Sequence, residues 1–233
     1  MTRTLLLFDI DGTLLLTGGL GIGAMGSAGA KLFGDHFVLD GLNTSGMLDP
    51  VIFSQLALRY GIADTVGNHT AFRKTYLDEL RSALDRHSDK VTVMPGIHRS
   101  LKELRQRSVA KGDVQLGLLS GNYPEAVPIK FAAAGLDPDW FPIQVLGDEA
   151  DSRPELTCLA MRKYEAYSKQ KSDPARVIVI GDTPKDVDCA LAHGCVAFGV
   201  ATGRYGIDEL DAAGADVTVK DLSDPTPLYD LLD

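Results

Sequence analysis

Two aspartates separated by one isoleucine, Asp9 and Asp11, interrupt the apolar run LLLFDIDGTLLL at residues 5–16. Ionised carboxylates are costly to bury unless something offsets them. Residues i and i+2 of a strand share a face, so both carboxylates can address one reactant. Of such a pair, one can attack as a nucleophile. The other can protonate a leaving oxygen and then activate a water. Gly12 permits a sharp exit from the strand, and Thr13 can donate a hydrogen bond back into the site. Two more apolar runs end in the same polar manner, LLSGN at 118–122 and VIGDTPKD at 179–186. If these are parallel neighbours, their ends lie together and gather Asp9, Asp11, Ser120, Asn122, Asp182 and Asp186. Four carboxylates at one point repel one another and raise each other's pKa values. A hard divalent cation resolves this, and Mg²⁺ is commonly held by a few carboxylates plus a substrate phosphate. Ser120, with the backbone N–H groups of Gly121 and Asn122, can hold phosphoryl oxygens near a helix N-terminus. Asp182 and Asp186 could also serve the helix that follows them, as capping acids.

The elements that would position these groups can be read from periodicity. Residues 4–9 read as a buried parallel strand, continuously apolar and ended by polar residues. Strand-like and helix-like stretches then alternate from about residue 92: IHRSLKELRQR, VQLGLLSGN (114–122), PEAVPIKFAAAGL (124–136), FPIQVLG, PELTCLAMRKYEAYSKQ (154–170), RVIVIGD (176–182), PKDVDCALAHG (184–194), VAFGVATG, IDELDAAG and DVTVK. Such alternation predicts an α/β fold, a Rossmann-like parallel sheet with helices on both faces. Residues 22–33, 49–60 and 66–86 instead carry apolar residues at helical spacing with no strand between them. Asp49 followed by Pro50 reads as an N-cap and first helical residue. The expected organisation is an α/β core of residues 1–15 and 92–233, with an all-helical cap of residues 16–91 over the carboxyl ends of the strands.

FDIDGT, LSGN and GDTPKD, in this order, resemble the signature motifs of haloacid dehalogenase-like (HAD) phosphatases. Residues 95–206, through LSGN, IKFAAAGL, GDTPKDVDCALAHG and VATGRYG, look like the phosphoglycolate-phosphatase-like branch, and the inserted helices match its helical cap in place and length. The resemblance implies that Asp9 is the nucleophile that becomes an aspartyl phosphate and that Asp11 is the general acid/base, with its backbone carbonyl on the metal. It implies that Ser120 binds phosphate, that Asp182 is an acidic metal ligand, and that Asp186 ligates through water or orients a basic residue. The family usually has a lysine just before a proline, ahead of the long helix. Here the sequence is SRPEL, which makes Arg153 the candidate, with Lys130 in IKFAAAGL as its rival. Arginine can bind a phosphoryl group in bidentate fashion. The implied activity is Mg²⁺-dependent hydrolysis of a small phosphorylated metabolite. A sugar phosphomutase of the same fold is the alternative, and a non-catalytic phosphate-binding module a more distant one.

Composition narrows the partners. The 233 residues carry a formal net charge of −9, which offers no footprint for a nucleic-acid backbone. No apolar run reaches the roughly 18 residues that span a membrane, and MTRTLLLFDIDG lacks the parts of a signal peptide. The three cysteines, Cys158, Cys189 and Cys195, have neither disulfide nor zinc spacing, and a cytoplasmic location is expected. Oligomeric state stays open. Gly21-x-Gly23-x-x-Gly26 has the form of a dinucleotide fingerprint but does not directly follow a strand, so it reads as a hinge and first cap helix. Arg73, Lys74 and Arg81 read as a solvated helix face. His193, before Gly194, reads as a helix C-terminal residue. Arg204 and Tyr205 read as loop residues beside the site.

Overall fold

Every residue of the first strand, β1 (Thr4–Phe8), is buried, because it runs through the middle of a parallel sheet covered on both faces. The computed structural model describes residues 3–232. Its main sheet has six strands, β1, β4 (Val114–Leu119), β5 (Ile143–Val145), β6 (Val177–Gly181), β7 (Val196–Val200) and β8 (Val217–Val219). Their spatial order is β5-β4-β1-β6-β7-β8, parallel at every pairing. The two-residue period of a strand divides β1 between two cores. Leu6 and Phe8 join Leu101, Leu104 and Phe131 on one face. Leu5 and Leu7 join Leu156, Ala160, Val187 and Leu210 on the other. Helices α4 (Ile97–Lys111), α5 (Ala126–Ala134) and α9 (Thr226–Asp230) therefore cover the first face, and α6 (Arg153–Ser168), α7 (Pro184–Leu191) and α8 (Ile207–Ala212) the second. Each buried leucine or phenylalanine contributes roughly 1.5–3 kcal/mol by leaving water.

The chain leaves β1 first toward β4 and β5, then returns to build β6, β7 and β8 on the other side. Strand order thus reverses at β1, the point where open α/β sheets leave a crevice beyond the strand ends. Phe8 is level with Leu118 of β4 and with Ile180 of β6. The residues just past those levels (Asp9, Ser120, Asp182) consequently emerge side by side.

Between β2 (Leu15–Leu16) and β3 (Thr92–Val93) lie α1 (Leu20–Phe33), α2 (Asp49–Arg59) and α3 (Val66–Arg86). These two strands pair antiparallel, so the helical segment departs and returns at one place. It carries its own aromatic core of Phe37, Phe53, Phe72 and Tyr76, which also takes in Tyr123 and Ala126 from the sheet side.

Several boundaries differ from the periodicity, each for a local reason. Helix α5 starts at Ala126 rather than Pro124, with Glu125 as its N-cap. The Ser120–Gly121–Asn122 loop thus lies just ahead of the α5 N-terminus, with Tyr123 and Pro124 between Asn122 and the N-cap. Asp49 is the first helical residue of α2, with Leu48 as N-cap, and its carboxylate is used elsewhere. The two-residue strands β2 and β3 and the five-residue α9 are too short to carry a period. Among the described residues, no helix is long and apolar enough to cross a membrane.

Candidate active site

Asp9 directly follows β1, and its N–H donates to the Ile180 carbonyl at 2.9 Å, so the backbone is still held by β6 when the carboxylate emerges. Asp182 follows β6, and Asp186 is the third residue of α7. Carboxylate oxygens of Asp9, Asp182 and Asp186 lie within 4.8 Å of one another, all three buried. Burial, with the charges of Asp186 and Asp11 adding and Arg153 opposing, raises Asp9 to about 6. Burial, with Asp186 and Asp9 adding, raises Asp182 to about 8. An all-oxygen donor set strained by its own repulsion fits a hard divalent cation.

Arg153, the first residue of α6, sits beneath these acids. Its guanidinium is 3.1 Å from Asp9 and in closer contact with Asp186. It is 6% exposed, and the two carboxylates outweigh the cost of burial and hold it well above the ordinary arginine value. Asp186 serves both readings given for it. Its Oδ2 accepts from the Thr183 N–H at 3.0 Å and Oγ1 at 2.7 Å, closing a capping box on α7. Its Oδ1 holds Arg153.

Asp11 is placed differently. Its carboxylate is not one of the three clustered acids but accepts from Lys130 Nζ at 2.5 Å and Asn122 Nδ2 at 2.8 Å. Asn122 also bonds Ser120 Oγ at 3.3 Å and accepts from Lys130 at 2.5 Å. Lys130 is only 3% exposed, in a helix otherwise apolar, AVPIKFAAA. Arg153 and Lys130 were alternatives for one basic position, and the structure brings both to the site: Arg153 on Asp9, Lys130 on Asp11. A lone lysine in an apolar helix was the available signal, since lysine is almost never fully buried unpaired.

Gly12 has a left-handed φ of +87°, and a Cβ there would fall 2.4 Å from the Asp182 carboxylate. Only glycine lets the chain turn so close to that acid. Thr13 is spent on Asp182, donating to Oδ1 at 3.2 Å, rather than pointing a free hydroxyl at a substrate. Gly121 is packed so tightly that a Cβ would lie 2.0 Å from the Met47 carbonyl. Its own carbonyl accepts from the Asp49 N–H at 2.7 Å, and Asp49 Oδ2 accepts from the Tyr123 N–H at 2.8 Å. Asp49, missed by the sequence reading as anything but a cap, thus fastens the helical segment to the Ser-Gly-Asn loop. Burial, opposed by Lys130, raises it to about 7.

These groups line one cavity of about 430 Å³ between the sheet edge and the helices. Asp9, Asp11, Ser120, Lys130, Arg153 and Asp182 form its floor, and Ile22, Met25, Asp49, Ile52 and Tyr76 line it from the helices. Arg204 also lines it, exposed, with Nη1 donating to Asn43 at 3.2 Å, and Tyr205 shares that asparagine at 3.1 Å. Arg73 is neither a solvated group nor part of this cavity. It pairs with Glu125 at 2.6 Å and Asp148 at 2.8 Å and lies over the Tyr123 ring, tying α3 to the sheet side. Lys74 and Arg81 are exposed. The Gly21–Gly26 stretch lies within α1, and a Cβ at Gly21 or Gly23 would meet nothing closer than 3.5 Å. His193 bonds the Pro154 carbonyl at 2.8 Å, and the three cysteines are free thiols.

A doubly covered parallel sheet with buried aspartates gathered at its strand ends defines the class. Residues 4–194 match the model of the haloacid dehalogenase-like hydrolases, and the chain belongs to that family of enzymes. It is 30% identical over 146 residues to a phosphoglycolate phosphatase of Chromobacterium violaceum, a match covering 62% of this chain but only 59% of that protein. It is 25% identical over 232 residues to the pyrophosphatase PpaX of Bacillus pumilus, covering 96% and 94% of the two chains. Its fold superposes on CbbY from Rhodobacter sphaeroides in complex with phosphate, with a TM-score of 0.71, 18% identity and 96% coverage of each chain. It superposes as well on a β-phosphoglucomutase from Clostridium difficile, with a TM-score of 0.72, 16% identity, and coverage of 100% and 97%.

Proposed function

We propose that the chain is a Mg²⁺-dependent phosphatase of small phosphate monoesters, working through an aspartyl phosphate on Asp9. The observation that carries this reading is the pairing of roles at β1. Asp9 emerges among Asp182, Asp186 and Arg153, while Asp11 is held apart by Lys130 and Asn122. Residues 16–91 serve as a cap over this floor, and residues 1–15 with 92–233 as its catalytic core. A phosphoryl group seated on the floor faces Asp9, whose carboxylate attacks phosphorus in line with the leaving oxygen. Asp11 donates a proton to that oxygen and afterwards takes one from the water that hydrolyses the acyl phosphate. Ser120, the Gly121 and Asn122 backbone N–H groups and Arg153 hold phosphoryl oxygens, Arg153 from its place between Asp9 and Asp186. Asp9, Asp182 and Asp186, with the Asp11 backbone carbonyl, would hold Mg²⁺, whose charge offsets that of the transferring group. Thr13 steadies Asp182 rather than the substrate.

Relatives support the substrate class: one is named for phosphoglycolate, and CbbY has been crystallised with xylulose 1,5-bisphosphate. Free thiols and small phosphorylated substrates suit a cytoplasmic setting. The test is phosphate release from p-nitrophenyl phosphate and a panel of small esters, with Mg²⁺ or with chelator, wild type beside Asp9→Asn. Release that needs Mg²⁺ and falls at least about a thousandfold in Asp9→Asn is expected. Full activity in that variant would remove Asp9 from the mechanism.

A further inference from the structure

The floor of the cavity fits a phosphoryl group, but its helical wall carries no positive charge. Among the described residues of 16–91 that line the cavity, the one charged side chain is a carboxylate, Asp49. The others are neutral: apolar Ile22, Met25 and Ile52, Tyr76, and the hydroxyls of Thr44 and Ser45 among them. Of the three cations that reach the cavity, none stands on this wall and two are already paired with acids. Arg153 is held by Asp9 and Asp186. Lys130 gives hydrogen bonds to Asp11 and Asn122 and faces Asp49 electrostatically. Arg204 lies outside the wall, bonded to neutral Asn43, and is exposed, so that solvent screens its charge. A second anionic group on the substrate would thus be desolvated against apolar side chains, a carboxylate and a few neutral hydroxyls, with no wall cation to offset its charge.

Resting on the phosphatase reading, we infer that the leaving group is an uncharged alcohol with an apolar body, and that esters bearing a carboxylate or a second phosphate are poor substrates. This departs from the anionic compounds that the relatives' names suggest. Ile22, Met25 and Ile52 give the alcohol an apolar surface. Asp49, Tyr76, Thr44 and Ser45 are that wall's polar side chains, and none of them carries a positive charge to favour an anion over a neutral hydroxyl.

The experiment compares kcat/KM for ethyl, propyl and butyl phosphate with that for phosphoglycolate, which replaces the ethyl methyl group by a carboxylate, and for propane-1,3-diol bisphosphate. The enzyme is the whole chain with Mg²⁺, and p-nitrophenyl phosphate is run alongside. The expected result is a rise of roughly fourfold per added methylene, from the ~0.8 kcal/mol gained by burying each, and phosphoglycolate at least about tenfold below ethyl phosphate. Ile22 is 42% exposed, so Ile22→Lys can place an ammonium on the wall without burying it. That variant should narrow the gap between phosphoglycolate and propyl phosphate by about tenfold. A flat alkyl series, or phosphoglycolate or the bisphosphate preferred by the wild type, overturns the inference while the phosphatase reading stands. Failure to hydrolyse even p-nitrophenyl phosphate overturns the phosphatase reading, and this inference with it.

Discussion

Two surfaces face each other across the cavity, and they are built on opposite terms. The sheet edge is dense in charge, and each charged group is fixed by a neighbour: Asp9 by β6 and Arg153, Asp186 by Thr183 and Arg153, Asp11 by Lys130 and Asn122. The helical side is mostly neutral, and among the described residues that line the cavity its one charged group, Asp49, is occupied in holding the loop opposite. Reaction chemistry needs charges whose positions do not relax, and a parallel sheet supplies them. Choice among alcohols needs a shaped, replaceable surface, which packed helices supply. The sheet edge itself divides into an Arg153 half that serves Asp9 and a Lys130 half that serves Asp11.

The largest effect after loss of Asp9 is expected from Arg153→Leu, which leaves Asp9 and Asp186 buried with no cation between them. Breaking such a pair costs about 3–5 kcal/mol, on top of a fall in turnover of at least about a hundredfold. Urea unfolding and phosphate release measure both, and a variant as stable as the wild type would contradict the buried ion-pair account. Lys130→Met tests the other half. If Lys130 positions Asp11 as proton donor, turnover of ethyl phosphate should fall on the order of a hundredfold. Turnover of p-nitrophenyl phosphate, whose leaving group needs no proton, should fall only a few-fold. Equal losses on both esters would make Lys130 a structural residue.

The helical side should respond in stability rather than chemistry. Burial raises Asp49 from its ordinary value to about 7, so the folded chain keeps a proton that the unfolded chain has released. Stability from this group is complete below about pH 4 and is lost as pH rises to 7. Asp49→Asn should remove that component, so that wild type loses more stability than the variant between pH 5 and pH 7.5. The check is the urea midpoint of metal-free protein at the two values, and parallel slopes would refute it. The smallest effect belongs to Glu125→Gln. It removes a partner of Arg73 that is half exposed, while Asp148 remains, and should cost under about 1 kcal/mol. A larger loss in thermal unfolding would make this pair a principal strut between α3 and the sheet side.

Much of the sheet edge was legible in the sequence because parallel strands are continuous apolar runs and their polar ends stand out. Asp9, Ser120, Asp182 and Asp186 were placed in this way, by strand ends that the register then brings side by side. Arg153 came from resemblance, since nothing in SRPEL alone says that the arginine is buried. Lys130 was undervalued because helical periodicity does not tell how deeply a residue lies; its depth depends on the acids and amide that receive it. Asp49 read as a helix cap because capping is the local use of an aspartate before a proline, whereas its partner, the Tyr123 N–H, is 74 positions away. The use of Thr13 was set by the same kind of distance, its acceptor lying 169 positions on.

The short pairing of β2 with β3 has an evolutionary consequence. Some seventy residues enter and leave the sheet domain through two backbone pairs, Leu15 with Val93 and Leu16 with Thr92. Closing a chain excursion grows costlier only with the logarithm of its length, so an insertion at this junction can lengthen, shorten or be exchanged with little penalty to the sheet. The lining that residues 16–91 give the cavity can therefore be rewritten in one uninterrupted stretch of gene, without moving the aspartates at the strand ends.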